Sequence, residues 1–319
     1  MTQSIDFELT GKKIFVCGHK GMVGSAIMRR LANENCTIVT AERSELDLQD
    51  DRAVKEWLGA ARPDAVILAA AKVGGIHAND TMPARFLLDN LRIQNAVIDG
   101  AFEQGVSKLL FLGSSCIYPV HAVQPMAEDS LLTGALEATN QWYAIAKITG
   151  IKLCQALRKQ FGVNFISAMP TNLYGPHDNY HPTESHVVAA LIRRFHQAKL
   201  ENHDDILIWG SGKPLREFLY VDDLADGLVH LLKHYNDEQP INIGTGQEVS
   251  IQQLAEMLKD ISGWQGNLVF DMMKPDGAPR KLMQNNRIHA LGWRHKTELR
   301  NGLEKAFAWF DENQRAARL

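Results

Sequence analysis

The fold is decided by the stretch Lys13-Ile14-Phe15-Val16-Cys17-Gly18-His19-Lys20-Gly21-Met22-Val23-Gly24. The apolar run from Ile14 to Cys17 is typical of a buried β-strand, and glycines follow it at once. Glycines at this spacing allow a tight turn, a close approach of the backbone to a ligand, and close packing of a helix on the strand. A helix is predicted from about Met22 to Asn33. The stretch therefore predicts a strand–turn–helix unit of a parallel sheet.

The same alternation of short apolar runs and helical patterns continues through the N-terminal half. Further strands are predicted at Thr37–Thr40, Ala65–Leu68, Leu109–Leu112, Phe165–Met169 and Ile241–Gly244. Long helices are predicted between the third and fourth strands and, from about Thr139 to Phe161, between the fourth and fifth. Runs this apolar fit strands that helices cover on both faces. The predicted fold class is α/β, with a doubly wound, Rossmann-type parallel sheet.

After Pro170 the composition of the chain changes. The segment Asn172–His186 is rich in Pro, Asn, His and Gly, which predicts a functional loop. A helix over Val187–Ala198 and a strand near Ile206–Trp209 should follow, and from Asp260 onward we expect an irregular region closed by a terminal helix. We predict a dinucleotide-binding domain over residues 1–175 and 217–246, and a smaller substrate-binding domain over residues 176–216 and 247–319.

Composition excludes several classes of protein. The 319 residues carry 34 Lys and Arg against 37 Asp and Glu, and this balance argues against a nucleic-acid or membrane-surface binder. Four cysteines at positions 17, 36, 116 and 154 lack CxxC spacing, which is typical of reduced thiols and not of a disulfide frame or a zinc site. With no signal peptide or membrane span visible, we expect a cytoplasmic protein without a metal.

The glycine turn predicts a bound dinucleotide, because the N-terminus of the following helix offers free N–H groups to a pyrophosphate. Glycine-rich turns without a ligand are the alternative. After the second strand, Arg43, helped by Lys20, can hold a 2′-phosphate, although Glu42 complicates this and a solvated charge pair is possible. We predict NADP(H) as the cofactor. Asp47, just before Leu48, is placed to reach the adenine rim, with a helix cap as its alternative.

A tyrosine and a lysine four residues apart, Tyr143 and Lys147, lie on one face of a predicted helix. The ammonium favours the phenolate and can hold the nicotinamide ribose, so the tyrosine can protonate a carbonyl that is being reduced. Ser114 ends the fourth strand at the carboxyl edge of the sheet, where it can donate a second hydrogen bond to that oxygen. An ordinary exposed pair on a helix is the alternative.

Several longer segments point to one family. They are Ala69-Ala70-Ala71-Lys72-Val73-Gly74-Gly75, Gly113-Ser114-Ser115-Cys116-Ile117-Tyr118-Pro119, Tyr143–Lys147, Met169–Asp178 and Lys274–Gly277. Together with the glycine turn, they resemble the GDP-L-fucose synthase family from about Lys13 to Phe310. The segments Ser114–Pro119 and Asn172–Asn179 are the most specific, whereas the others are shared by many epimerases and dehydratases.

The resemblance implies a homodimer that epimerises C3 and C5 of GDP-4-keto-6-deoxy-D-mannose and then reduces C4 with NADPH. It implies Ser114, Tyr143 and Lys147 as the reductive set, and Cys116 and His186 as the base and acid of epimerisation. The turn and the resemblance together give cofactor contacts at Gly18, Lys20, Gly21, Met22, Val23, Gly24, Arg43, Asp47, Leu48, Leu112, Gly113, Ser114, Ser115, Tyr143, Lys147, Pro170, Thr171, Asn172, Leu173 and His186. Contacts to the GDP-sugar are implied at Arg194, Trp209, Arg216 and Asp276, with Lys281 nearby.

The residues assigned to epimerisation and to the GDP-sugar can also be interpreted without reference to the family. Protons α to a ketone are acidic enough for a positioned base, and Cys116 lies two residues beyond Ser114, yet most free cysteines are small buried thiols. His186 is by default a loop or helix-start histidine. Arg194 and Arg216 suit a diphosphate beside a tryptophan, or are surface charges.

The chain departs from the family pattern at three places. Lys20 replaces a common arginine, so a bidentate grip on the 2′-phosphate becomes a point charge. Gln141-Trp142 replaces a more usual Glu-Pro, and Gln284 replaces a frequent acid. A 4-epimerase or a 4,6-dehydratase on the same fold is the nearest rival, although a dehydratase typically needs an acid where Cys116 stands. An NADP-sensing regulator would be expected to lack the tyrosine or the lysine, and both are present.

Overall fold

The structure is a computed structural model that describes residues 6–274 and 276–314, without the side chains of residues 76 and 77. The strands are β1 Lys13–Cys17, β2 Thr37–Val39, β3 Ala65–Leu68, β4 Lys108–Leu112, β5 Asn164–Pro170, β6 Asn172–Tyr174, β7 Asp205–Trp209, β8 Leu215–Arg216, β9 Phe218–Tyr220, β10 Ile241–Ile243, β11 Val249–Ser250, β12 Asn267–Asp271 and β13 Arg280–Lys281. The α-helices are α1 Met22–Leu31, α2 Asp51–Ala61, α3 Ile76–Thr81, α4 Pro83–Glu103, α5 Gln141–Phe161, α6 Val187–Glu201, α7 Val221–His234, α8 Ile251–Ser262, α9 Asn286–Ala290 and α10 Leu299–Asn313. Short 3-10 helices lie at Ser115–Ile117 and Glu128–Ser130.

A six-stranded sheet in the order β10-β5-β4-β3-β1-β2 forms the centre of the molecule, and each neighbouring pair is parallel. The chain runs from β1 outward to β2 and then returns to place β3 on the other side of β1. This reversal creates a crevice at the carboxyl ends of β1 and β3, which is where open α/β sheets bind ligands. The predicted fold class is confirmed.

The sheet is buried on both faces. Along β1, Ile14 and Val16 belong to one apolar cluster, with α1 and α7, while Phe15 and Cys17 belong to a second cluster, with α2, α4 and α5. Alternate side chains of a strand point to opposite faces, so a strand covered on both sides must be apolar throughout. This explains why the strands appear in the sequence as uninterrupted apolar runs.

A third apolar cluster lies among α6, α8 and α10, together with β7. Here the structure is more regular than predicted, because β12 pairs in parallel with β7 from Asn267↔Asp205 to Asp271↔Trp209. Such a pairing joins segments about sixty residues apart, so local patterns do not reveal it. A capping box at Ser250 opens α8. The predicted two-domain boundaries remain a prediction.

Several predicted boundaries shift by one to three residues. Helix α1 ends at Leu31 and not at Asn33, α5 begins at Gln141, and α6 continues to Glu201. Strand β2 stops at Val39 and β10 at Ile243. In the described part of the chain, no helix combines the length and the apolar character that crossing a bilayer requires.

Candidate active site

The glycine turn after β1 forms a cradle without side chains. Gly18 has φ +83°, and a Cβ there would lie 2.8 Å from the Cα of Ala70 on the neighbouring loop. A Cβ on Gly24 would overlap the carbonyl of Gly18. Helix α1 begins after Gly21 with no side-chain cap, so its first N–H groups remain available to a ligand. The cradle fits the pyrophosphate of a dinucleotide on these grounds.

A cavity of about 460 Å³ adjoins the turn. Six residues predicted to contact the cofactor line it, namely Gly18, Lys20, Gly21, Arg43, Asp47 and Leu48. Met22, Val23 and Gly24 form the first turn of α1 beside it. The alternative that Asp47 caps a helix is wrong, because the cap of α2 is Asp50, whose side chain accepts from the Ala53 N–H. Asp47 is therefore free of the capping role and faces the cavity.

The charged residues at the rim of this cavity differ in whether another residue binds them. Glu42 accepts from the Lys20 ammonium at 2.6 Å and lies 3.3 Å from the His19 imidazole. The hydrogen bond from Lys20 holds the pKa of Glu42 below its usual range. The exposed Arg43 makes no hydrogen bond or ion pair with any residue the structure describes. Arg43 is thus the cation more available to a phosphate.

Lys72 also lines the cavity, and sequence reasoning missed it as a site residue. Asn90 of α4 clamps its backbone, accepting from the Lys72 N–H at 2.9 Å and donating to the Lys72 carbonyl at 3.0 Å. The Lys72 ammonium lies 3.6 Å from a carboxylate oxygen of Asp89, another residue of the lining. The only signal was a lysine inside the Ala69–Gly75 segment, since its partners come from a different element.

The structure brings the predicted reductive set together. Tyr143 and Lys147 lie one turn apart on α5, with the Lys147 ammonium 5.8 Å from the centre of the Tyr143 ring. Lys147 donates to the carbonyl of Leu112, the last residue of β4, at 2.8 Å. Ser114 follows that strand, and its hydroxyl lies within hydrogen-bonding reach of the Tyr143 phenol. The three side chains therefore converge at the carboxyl edge of the sheet.

Burial sets the protonation of this set. Desolvation raises the pKa of Tyr143 well above its usual value, and the nearby Cys116 adds to the rise. Desolvation also lowers the pKa of Lys147 to about 8, which the Cys116 thiol partly counters. At neutral pH the phenol keeps its proton and the lysine is mostly an ammonium. This is the state that a proton donor needs before reduction.

Cys116 lies in the 3-10 helix that follows β4, directly beside the reductive set. Its backbone N–H donates to the Ser114 hydroxyl at 3.5 Å. Burial raises the pKa of its thiol, whereas Ser114, Lys281, Asn140 and Lys147 each favour the thiolate. The resting group is a thiol, surrounded by donors and cations that stabilise its charged form.

His186 is the residue before α6, and its side chain makes no capping hydrogen bond. The loop before it is attached to the sheet edge, since the Gly75 N–H donates to the Glu184 carbonyl at 2.9 Å. The residue keeps an exposed surface, and desolvation by the surrounding protein lowers the pKa of its imidazole. At neutral pH the free imidazole is therefore mostly neutral.

The remaining predicted cofactor residues lie at or just beyond the carboxyl ends of β4 and β5. Leu112, Gly113 and Ser115 belong to the first group. Pro170, Thr171, Asn172 and Leu173 belong to the second. The Thr171 N–H donates to the Ile243 carbonyl at 3.1 Å, and the Asn172 amide donates to the Glu217 carbonyl at 2.8 Å. The Asn172 side chain therefore stabilises the edge itself.

Arg194 of α6 lies close to Trp209, the last residue of β7. The Arg194 guanidinium donates to the Leu207 carbonyl at 3.0 Å and lies 6.0 Å from the Trp209 ring centre. Both residues line a cavity of about 300 Å³. Trp209 is 56% exposed, so a flat aromatic surface is open to a planar group. The Lys274 ammonium lies 5.1 Å from the same ring.

Arg216 lies on β8, and its register partner on β13 is Lys281. Burial lowers the pKa of Arg216, while Asp276 opposes that shift. Both carboxylate oxygens of Asp276 are engaged at Ser211, one accepting from its N–H at 2.6 Å and the other from its hydroxyl at 2.7 Å. Asp276 therefore fixes the turn after β7 as well as facing Arg216.

Besides Lys20, the departures from the family pattern are Gln141-Trp142 and Gln284. The Gln141 side chain donates to the Ala138 carbonyl at 3.0 Å, and Trp142 is 39% exposed. Gln284 forms its bonds through the backbone, donating to the Met126 carbonyl and accepting from the Asn242 amide. The backbone of Gln284 thus takes part in structural contacts.

A glycine cradle at the switch point of the sheet and a Ser/Tyr/Lys set at its carboxyl edge define a class, the extended short-chain dehydrogenases/reductases. The chain belongs to the NAD dependent epimerase/dehydratase family, whose profile matches residues 14–244, and within it to the GDP-L-fucose synthases. The predicted resemblance is confirmed.

Relatives of this chain match along almost its whole length. It is 58% identical to a GDP-L-fucose synthase of Sinorhizobium fredii over 305 residues, which are 96% of this chain and 97% of the relative. It is 50% identical to the GDP-L-fucose synthase of Escherichia coli, over 96% of this chain and 98% of that one. The structure of a GDP-L-fucose synthetase from Naegleria fowleri bound to NADP has a TM-score of 0.90 at 31% identity, covering 98% of each chain.

Proposed function

We propose that this enzyme converts GDP-4-keto-6-deoxy-D-mannose into GDP-L-fucose, by epimerisation at C3 and C5 and then reduction at C4 with NADPH. The observation that carries the proposal is the thiol of Cys116 beside the Ser114/Tyr143/Lys147 set. A reductase needs the set of three but has no use for a second proton-transfer group two residues away. Similarity to GDP-L-fucose synthases at 50–58% identity supplies the substrate.

The epimerisation uses the acidity of carbons next to a ketone. As a thiolate, Cys116 removes the proton from C3 or C5, and the electron pair moves onto the C4 oxygen. The Ser114 and Tyr143 hydroxyls, which lie side by side, donate hydrogen bonds to that oxyanion. His186 returns a proton to the other face of the carbon. Its lowered pKa makes it a weak acceptor in the free enzyme, and the negative diphosphate of the substrate favours the protonated form.

The reduction uses the same oxygen in the same place. When bound in the glycine cradle, NADPH supplies a hydride to C4. Tyr143 gives its proton to the C4 oxygen, and the Lys147 ammonium stabilises the phenolate that remains. Lys147 is held in position for this by the Leu112 carbonyl at 2.8 Å. Ser114 keeps its hydrogen bond to the substrate oxygen throughout both chemistries.

The preference for NADP(H) over NAD(H) rests on Arg43. Its guanidinium is exposed at the cavity rim with no partner among the described residues, and so it can hold a 2′-phosphate. Lys20 contributes less, because Glu42 already binds it at 2.6 Å. We therefore expect a preference for NADP(H) that is smaller than two unpaired cations would give.

The GDP-sugar is proposed to occupy the wall formed by Arg194, Trp209 and Arg216. Two arginines suit a diphosphate, and the exposed face of Trp209 suits the guanine base. Asp276 contributes by holding the turn at Ser211 and by facing Arg216. Lys281 lies next to Arg216 on the paired strand.

We also propose that the enzyme works as a homodimer in the cytoplasm. Helices α4 and α5 lie side by side and expose apolar residues, including Leu88, Trp142 and Ile145. A two-fold contact through both helices would bury them, and such isologous contacts are the commonest in homo-oligomers. Light scattering at micromolar concentration should give the mass of a dimer, and a monomer alone would contradict this.

The decisive experiment incubates the enzyme with NADPH and GDP-4-keto-6-deoxy-D-mannose and identifies the sugar by NMR. We expect GDP-L-fucose and the oxidation of one NADPH for each sugar converted. A C4-reduced sugar with its original C3 and C5 configuration would contradict the epimerase part. A sugar epimerised at C3 and C5 without net NADPH oxidation would contradict the reductase part.

A further inference from the structure

Two buried asparagines hold the end of the loop that joins β3 to α3. Asn90 of α4 accepts from the Lys72 N–H at 2.9 Å and donates to the Lys72 carbonyl at 3.0 Å. The amide of Asn79 in α3 donates to the Gly74 carbonyl at 2.8 Å and to the Gly75 carbonyl at 3.1 Å. Buried side-chain amides that bind backbone groups fix the path of a chain between regular elements. The end of this loop is therefore a firm support for another segment.

Gly75 is the point at which this loop contacts the segment before His186. The Gly75 N–H donates to the Glu184 carbonyl at 2.9 Å. A Cβ on Gly75 would lie 2.8 Å from the Ser185 carbonyl oxygen and 3.4 Å from the Glu184 carbonyl oxygen. The φ of Gly75 is −67°, a value that any residue can adopt, so the backbone conformation does not require glycine. The close approach of the two backbones is what excludes a side chain here.

The Ser185 carbonyl belongs to the same peptide group as the His186 nitrogen. Because the atoms of a peptide group lie in one plane, a displacement of the Ser185 oxygen also moves the Cα of His186. On the other side, the His186 carbonyl accepts from the Ala190 N–H at 2.9 Å, which is the hydrogen bond that opens α6. His186 is thus held through its backbone from two sides, by Gly75 and by α6.

We propose that Gly75 is a positioning residue for His186. Its backbone, held by the Asn79 amide, sets the position of the peptide group that carries His186. The proposal rests on the proposed function, in which His186 returns a proton to the sugar carbon. Proton transfer needs the donor close to that carbon, and a misplacement of about 1 Å can lower a rate by about 10²-fold. A side chain at Gly75 would therefore act on the epimerisation through His186.

The first test observes the His186 imidazole without any substrate. NMR spectra are recorded on the full-length enzyme with isotope-labelled histidine, and the His186 signal is assigned by its loss in His186→Asn. In Gly75→Ala this signal should shift, because the added Cβ must displace the Ser185 carbonyl. In Asn79→Ala it should shift as well, since two hydrogen bonds to the loop are lost. Asn79→Ala adds no atoms, so it decides the question if Gly75→Ala does not fold.

Gly74→Ala is the matched control. It is the same substitution one residue earlier, but the nearest contacts of its Cβ would be side-chain atoms, the Cβ of Ala78 at 3.0 Å and the Cζ of Phe86 at 3.1 Å. The His186 signal should keep its position in this variant. An unmoved signal in folded Gly75→Ala, or an equal shift in Gly74→Ala, would overturn the proposal.

The second test follows deuterium uptake at C3 and C5 of the sugar in deuterated water. In Gly75→Ala the kcat for uptake should fall by about tenfold, with the KM for the GDP-sugar changed by less than about twofold. In a His186→Asn background the same substitution should cost nothing further, because two changes that act through one group are not additive. A tenfold loss in both backgrounds would show that Gly75 acts on another part of the site, and would overturn the proposal.

The positioning role and the proposed function fail in different ways. If the unaltered enzyme takes up no deuterium at C3 and C5, the epimerase function fails, while the His186 signal in Gly75→Ala still tests the contact. If the unaltered enzyme takes up deuterium and Gly75→Ala does so equally fast, the positioning role fails and the epimerase function stands.

Discussion

The residues proposed for reduction and the pair proposed for epimerisation are built into the fold in different ways. Tyr143 and Lys147 occupy successive turns of α5, and Lys147 is tied to the backbone of β4. Cys116 and His186 come instead from a 3-10 helix and from the loop before α6. The residues proposed for reduction thus lie on or beside regular elements of the sheet core. The residues proposed for epimerisation lie in segments whose position depends on distant contacts.

The loop that ends at His186 shows how such a position is fixed without secondary structure. Tyr180 is fully buried and packs on the rings of Trp309 and Phe310 in α10. Arg193 of α6 donates to the Tyr180 carbonyl at 2.9 Å. A loop can therefore carry a proton-transfer group when a buried aromatic residue anchors it. The comparison predicts that the two chemistries can be separated by mutation.

The largest effect is expected for Tyr143→Phe. The variant lacks the proton donor to the C4 oxygen, so NADPH oxidation should fall by about 10²- to 10⁴-fold. Proton exchange at C3 and C5 should continue, because Cys116 and His186 are intact. NADPH absorbance and NMR in deuterated water read the two outcomes. Loss of both activities in a folded variant would show that the chemistries cannot be separated.

Cys116→Ser should show the reverse pattern. A serine hydroxyl is a far poorer base than a thiolate at neutral pH, so deuterium uptake at C3 and C5 should fall by about 10²-fold or more. Slow reduction of the unepimerised ketone should remain. Cys36→Ser, a change at a thiol distant from the site, is the control. Normal uptake by Cys116→Ser would reduce this cysteine to a packing residue.

His186→Asn should resemble the cysteine variant with a smaller loss. Asparagine preserves a polar side chain before α6 but cannot deliver a proton, so exchange should fall by about tenfold to a hundredfold. Some loss of NADPH affinity should accompany it if the imidazole also touches the nicotinamide end. Titration of NADPH binding separates the two effects. Unaltered exchange would assign the acid role to another group.

The reduction should also be sensitive to pH through Lys147. Its pKa, lowered to about 8 by burial, means that the ammonium is present below that pH and is lost above it. We expect kcat/KM for the reduction to decline as pH rises through about 8. In Lys147→Arg the guanidinium stays charged over this range, so this decline should disappear even if activity is lower. A decline that persists in Lys147→Arg would point to a different group.

The smallest effect is expected at the cofactor rim. Arg43→Ala should reduce the ratio of kcat/KM for NADPH over NADH by about tenfold, since one exposed charge-assisted contact is lost. Glu42→Gln should raise the ratio a few-fold, because it releases Lys20. Arg52→Ala, at an exposed arginine paired with Glu56, is the control. Equal use of both cofactors by the unaltered enzyme would contradict the NADP assignment.

Much of the cofactor half could be predicted from sequence because its signals are local. The glycine turn, the apolar strands and the four-residue spacing from Tyr143 to Lys147 each depend on neighbours in the chain. Gly18 illustrates this, since the positive φ that its turn requires favours glycine at that position. The helix spacing likewise places the phenol and the ammonium on one face before any tertiary contact is known.

Tertiary structure decided the surroundings of the proposed epimerisation residues and the finer details of the cofactor cavity. The environment of Cys116 draws on Asn140 and Lys281, and the cofactor cavity draws on Lys72 and Asp89, residues that only the packing of separate elements brings together. The sequence shows that Lys20 is a cation, but it does not show that Glu42 forms an ion pair with it. Sequence determines which groups a chain offers and where it turns. Distances between remote segments, and the desolvation that shifts each pKa, arise only when those segments pack.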